Sequence, residues 1–128
     1  MISFDSFVME EGVPLYQQIL LYVKRGIAGG TIQDGDELPS RRVLSALLGV
    51  NPNTVQKAYR LLEEEGLILS HTGAKSTVVA DEAAQSRVRG ELLQAEVRDT
   101  IAAMKHMGLS RQEALALVDQ LWKEGETP

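Results

Sequence analysis

A chain of 128 residues with 44% apolar content is sized for one compact domain, or for one small domain with an appendage, and holds enough apolar residues for a core. It has no cysteine, which excludes a disulfide framework, a thiolate metal site and a cysteine nucleophile, and its 5% aromatic content argues against a single-strand binder built on base stacking. The net charge of -5 makes the protein acidic, so any basic surface must be local.

The first residues, MISFDSFVMEEG, lack the basic start and apolar run of a signal peptide, and no stretch approaches the ~20 apolar residues of a membrane span. The expectation is a cytoplasmic protein with no membrane partner. Residues 2–4 read as a short strand followed by a polar stretch. Pro14 then opens a first helix, with Leu15, Ile19, Val23 and Ile27 as its buried stripe and Gly29-Gly30 as its stop. Tyr16 and Tyr22 read as core or edge packing. Residues 31–37 form a loop with Gly35 as the turn residue.

Residues 38–60, LPSRRVLSALLGVNPNTVQKAYR, read as two helices joined by a tight turn. Ser40 is a good N-cap, Leu44, Leu47 and Leu48 fall at helical spacing, and Gly49 ends the run. Asn51 caps the next helix, whose first position is Pro52, where the missing amide costs nothing. Arg41 and Arg42 stand in the first turn of their helix, where a cation opposes the macrodipole by roughly 0.3–1 kcal/mol. On the following helix Asn53, Gln56, Lys57 and Arg60 share one face, and Val55, Ala58, Tyr59 and Leu62 share the other. Between Leu38 and Leu62 there are four basic residues (Arg41, Arg42, Lys57, Arg60) and no acidic one. An amide-rich, basic face on an acidic chain suits nucleic acid. Taken from periodicity alone, an ordinary pair of packed helices with a solvated face is equally compatible.

Glu63, Glu64 and Glu65 at the end of that helix read as a solvated face that pairs with Lys24 or Arg25. Residues 67–70 and 77–80 read as the strands of a hairpin with a small polar tip at 71–76, the wing of a winged helix. His71 in that tip reads as a solvent-exposed side chain rather than a phosphate contact. Residues 81–107 read as one long amphipathic helix, with Val88, Leu92, Leu93, Val97, Ile101 and Met104 as its stripe, weakened at Gly90 and stopped at Gly108. Ser110-Arg111-Gln112-Glu113 is a capping box that starts a last helix carrying Leu115, Val118, Leu121 and Trp122. Two such helices expose more apolar surface than they can bury against each other, so a second copy of the chain is the expected cover, with folding back onto the N-terminal domain as the alternative.

As a set, Pro14-Leu15-Tyr16-Gln17-Gln18-Ile19, Ile27, Gly30, Gly35, Leu38-Pro39-Ser40, Arg42, Val50, Asn51-Pro52-Asn53-Thr54-Val55, Ala58-Tyr59, Leu62 and Glu65-Gly66-Leu67-Ile68 resemble the winged helix-turn-helix of GntR-family transcription regulators. The Asn-Pro-Asn-Thr-Val start and the short helical tail are similar to the YtrA subfamily. The resemblance covers residues 14–80 closely and the tail only in length and helical character. It implies a cytoplasmic, homodimeric, bacterial DNA-binding regulator, usually a repressor. It carries DNA contact onto Arg42, Asn51, Asn53, Thr54 and Gln56, and a wing contact onto Gly73 and Lys75. Many relatives place arginines where this chain has Pro52 and Gln56, and the common Gly-x-Gly-Thr of the wing falls on Ala74 and Ser76.

The expected fold is therefore mainly α with a small β-hairpin: a winged helix-turn-helix domain at residues 1–80 and a two-helix dimerisation tail at 81–128. The expected partners are double-stranded DNA and a second copy. The expected DNA contacts are Ser40, Arg41, Arg42, Asn51, Asn53, Thr54, Gln56, Lys57, Gly73 and Lys75, and the expected dimer contacts are Leu92, Val97, Ile101, Met104, Leu115, Val118 and Trp122. A small-molecule effector, where one acts, is expected near Met104 or Trp122, although plain dimer core is the stronger reading of those two. No cofactor or metal is called for, and no nucleophile, acid-base pair or phosphate loop points to an enzyme.

Overall fold

The computed structural model describes residues 1–73 and 75–126; Ala74 of the wing and the terminal Thr127 and Pro128 lie outside them. The order is α1 (Leu15–Gly29), β1 (Glu37–Leu38), α2 (Arg41–Leu48), α3 (Pro52–Glu64), β2 (Ile68–Ser70), β3 (Ser76–Val78), α4 (Glu82–His106) and α5 (Arg111–Glu126). Two compact units divide the chain, the first Met1–Glu91 and the second from Leu92 onward. Among the described residues no helix is long and apolar enough to cross a membrane.

The first unit is built on α1 and α3. Ile19, Val23 and Ile27 of α1 and Val55, Ala58, Tyr59 and Leu62 of α3 are buried, as their spacing predicts. Leu44 of α2, Leu67, Ile68 and Val78 around the sheet, and Ala84 and Val88 from the first turns of α4 complete the core. Lys24 fastens this unit from the side. Its ammonium donates to Glu65 at 2.7 Å and lies 3.5 Å from Glu91, linking α1 to the end of α3 and to α4. Gly26 of α1 is a packing position: a Cβ there would stand 2.4 Å from Cδ1 of the buried Ile32.

Three antiparallel strands form the sheet in the order β1-β3-β2, with Glu37 opposite Thr77 and Ile68 opposite Val78. The loop before β1 anchors the hairpin, since Asp34 accepts the amide of Ala80 and Gly35 donates to the carbonyl of Val78, each at 2.8 Å. The sequence reading missed β1, whose two residues are too few for any alternating pattern to show. The expected strand at residues 2–4 is absent. Ile2 and Phe4 are buried in alternation, but among the described residues the only ladder-like bond is from the Ile2 amide to the Glu37 carbonyl at 2.8 Å, and a turn at residues 5–6 leads the chain away. Phe4 instead stacks on Tyr22, with ring centroids 4.8 Å apart, and the Tyr22 hydroxyl donates to the Ser3 carbonyl at 2.7 Å, the packing role expected of Tyr22.

In the second unit the termini behave as their sequence dictates. Gly108 takes a left-handed φ of 85°, which lets the Leu109 amide reach back to the Met104 carbonyl and close α4. Ser110 and Glu113 exchange hydrogen bonds, amide to side chain in both directions, at 3.0 and 3.2 Å. Hydrogen bonds from Ser110, that of its amide above all, hold the Glu113 carboxyl below the usual carboxylate range. No residue of α5 is buried, and its Leu115, Val118, Leu121 and Trp122 stand open.

Candidate nucleic-acid interface

Sequence spacing fixes the hinge of the site. The α2 cap, Gly49, adopts φ 67°, where a side chain would be strained, so the chain turns at once and the Val50 amide reaches the Ser45 carbonyl at 3.0 Å. The buried Ser45 hydroxyl then donates to the Val50 carbonyl at 2.6 Å. The turn between α2 and α3 is thereby locked at both polar groups of Val50. Tyr59 adds a second tie, its hydroxyl donating to the Pro39 carbonyl at 2.6 Å just ahead of α2. Burial pushes the Tyr59 phenol well above its ordinary range, with the Arg41 charge acting the other way.

On this frame Asn53, Gln56, Lys57 and Arg60 are all exposed along one side of α3, opposite its buried side. The Asn53 and Gln56 side chains hold no hydrogen bond to the described residues, leaving both amides free for an external partner. Arg42 is exposed at the start of α2 and likewise has no ion-pair partner among the described residues. Thr54 is half-buried between the two sides of the helix.

Other expected contact residues have structural duties. The Ser40 hydroxyl accepts the Val43 amide at 3.1 Å and the Asn51 side-chain Oδ1 accepts the Asn53 amide at 2.8 Å, so both are helix caps. Arg41 differs from its neighbour Arg42. Its guanidinium lies over the Tyr59 ring, 5.4 Å from the centroid, and its Nε is buried with no hydrogen-bond partner among the described residues. The ring supplies an internal partner for a cation opposed to the dipole, which leaves Arg42 as the first-turn cation with no such partner among the described residues. Lys57 also has an internal partner, its ammonium sitting 4.0 Å from the centre of the Tyr16 ring. Nothing in the sequence near either cation signals these contacts, because each tyrosine comes from a different helix.

The acidic residues that close α3 stand at its C-terminal end, where Glu63 and Glu64 share a cleft with Arg41, Gln56 and Arg60. Glu63 accepts the Ser70 hydroxyl at 2.6 Å, Glu64 lies 3.9 Å from Arg60, and Glu65 takes Lys24. On the wing, Gly73 and Lys75 are exposed, and His71 meets Thr77 across the strands at 2.8 Å. Leu47 of α2 points outward, 62% exposed, because Leu44 and Ser45 take the buried side.

Known proteins share this fold. The family model described as bacterial regulatory proteins, gntR family, matches residues 15–79. The HTH-type transcriptional repressor YtrA of Bacillus subtilis is 39% identical over 79 residues, covering 62% of this chain and 60% of YtrA, so the match spans less than two thirds of that relative. A GntR family transcriptional regulator from Listeria monocytogenes superposes with a TM-score of 0.77 at 29% identity, over 88% of this chain and 98% of its own. YtrA from Sulfolobus acidocaldarius, a GntR-family transcription factor, superposes with a TM-score of 0.53 at 28% identity, over 98% of this chain and all of its own (100%). With α1, the helix-turn-helix and the hairpin all inside the matched segment, this chain belongs to the gntR family of bacterial regulatory proteins.

Proposed function

We propose that the chain is a sequence-specific, double-stranded DNA-binding transcription regulator, a repressor, that acts in the cytoplasm as a homodimer on a palindromic operator. The observation that carries this reading is the exposed, carboxylate-free first half of α3, with Asn53 and Gln56 unoccupied and Arg42 standing free at the start of α2. In this reading α3 enters the major groove. Asn53 and Gln56 can each bind adenine N6 and N7 in bidentate fashion, and the Thr54 methyl suits thymine, so A·T pairs are expected in each half-site. Arg42 holds a phosphate or reads a guanine, and Gly73 and Lys75 of the wing lie along the backbone.

The homodimer is supported by the tail. Leu93, Val97 and Ile101 of α4 and the apolar residues of α5 lie exposed, Trp122 by 69%, with Leu92 and Met104 half-covered. Apolar surface of this extent on a lone chain calls for a cover, and a symmetric pairing would set two copies of α3 about one helical turn of DNA apart. We place the dimer contacts on Leu92, Val97, Ile101, Met104, Leu115, Val118 and Trp122.

Selection of bound sequences from random duplex DNA tests the reading. It should recover an inverted repeat with A·T-containing half-sites. Recovery of no enriched sequence, with only weak salt-insensitive retention, would overturn it.

A further inference from the structure

The polar side of α3 is bordered on both edges by a cation resting on a tyrosine. Around a helix of 3.6 residues per turn the exposed polar positions follow one another as Glu63, Gln56, Arg60, Asn53, Glu64, Lys57, with the two carboxylates at the C-terminal end. At the Gln56 edge, Arg41 lines a cleft together with Gln56, Arg60, Ser70 and the carboxylates of Glu63 and Glu64, and its guanidinium lies 5.4 Å from the centre of the Tyr59 ring. At the opposite edge, the Lys57 ammonium lies 4.0 Å from the centre of the Tyr16 ring, on α1. Asn53 stands between the two.

We propose that Tyr16 is a positioning residue that holds Lys57 for a backbone phosphate, so that α3 meets DNA with prealigned cations at both of its borders. The proposal rests on the DNA-binding reading given above. A lysine stem has four rotatable carbons and loses rotamer freedom when it grips a phosphate, so a stem already held in place loses less on binding. The ring touches only one side of the ammonium, and its remaining N–H groups stay open to a phosphate oxygen. The hydroxyl of Tyr16 is not the working group. Its one described bond is a long 3.4 Å donation from the neighbouring Gln17 side chain. Replacing Tyr16 by phenylalanine should therefore preserve the effect, and replacing it by leucine should remove it.

The test uses the full chain as wild type, Y16F, Y16L, Y16Q, K57A and Y16L/K57A, each titrated against its selected duplex over a series of KCl concentrations, with melting curves to identify folded variants. The Lys57 ε-methylene proton shift is followed in the free protein. The expected results are an upfield ring-current shift in wild type and Y16F that is lost in Y16L and Y16Q, and wild-type affinity in Y16F. Y16L, Y16Q and K57A should each bind roughly two- to tenfold more weakly with a shallower salt dependence, the slope of K57A falling by about one. The double variant should bind no more weakly than K57A. Wild-type binding by folded Y16L or Y16Q, additive losses in Y16L/K57A, or no ring-current shift in wild type would overturn the proposal alone. Failure of wild type to bind duplex DNA while the ring-current shift is present would overturn the DNA-binding reading, and the proposal with it.

Discussion

The winged helix and the tail use apolar residues in opposite ways. In the first unit nearly every helix stripe ends against another element, as Ile19, Val23, Leu44, Val55 and Leu62 do, all fully buried. In α5 the same residue types at the same helical spacing stay exposed. A periodic stripe thus indicates that a helix will bury a face, and only tertiary structure indicates whether its own chain provides the cover. The first unit covers most of its stripes itself, and the apolar side of α5 is left open.

The largest effects should separate the two units. Leu62→Ala should lower the unfolding free energy by about 2–5 kcal/mol, because it opens a cavity in a filled core. Leu115→Ala, measured by the same urea titration at a concentration where the chain is monomeric, should change it by less than about 0.5 kcal/mol, while sedimentation shows weaker self-association. Equal costs at both positions would break the comparison.

Next comes the exposed face of the first unit. Arg42→Ala should leave the melting temperature unchanged and weaken operator binding by about 1–3 kcal/mol in a gel-shift titration if the side chain is bidentate to guanine. Near wild-type affinity would remove Arg42 from the interface.

Tyr59→Phe should cost about 1–2 kcal/mol of stability, since it leaves the buried Pro39 carbonyl without its donor. The same hydroxyl has a pH signature. Because burial raises its folded pKa, the contribution is whole below the unfolded tyrosine value of about 10 and is lost as pH rises beyond it, so wild type should lose stability above about pH 10 faster than Tyr59→Phe does.

The smallest effect lies at the start of α5. Ser110→Ala should reduce stability by about 0.5–1 kcal/mol, seen as lost helicity in circular dichroism. Acid should weaken the same cap. The folded Glu113 pKa is lowered, so the cap acts fully above the unfolded carboxylate value and fades as pH falls through the folded one.

How much of this was legible in the chain depended on how local the signal was. Caps and stops are local, and Ser40, Gly49, Asn51, Gly108 and the Ser110–Glu113 pair all stand where their chemistry predicts. The two sides of α3 were legible because a 3.6-residue period sorts them. β1 was not legible, since a two-residue strand carries no alternation and exists only because β3 lies beside it. Residues 2–4 show the converse, alternating like a strand with no ladder to join. The difference between Arg41 and Arg42 was also hidden, because it depends on a ring that arrives from α3. Reading Tyr16 as edge packing identified its surroundings and missed the cation that rests on it.

The central claim is that the side chains around the α2–α3 turn meet the phosphates and base edges of duplex DNA. Its most direct test is the affinity of the full chain for its selected duplex across a range of KCl concentrations. A straight, steeply falling plot of log K against log salt is expected, because each neutralised phosphate releases condensed counterions, with affinity lost in Arg42→Ala. A flat plot, or no binding to duplex DNA at low ionic strength, would contradict it.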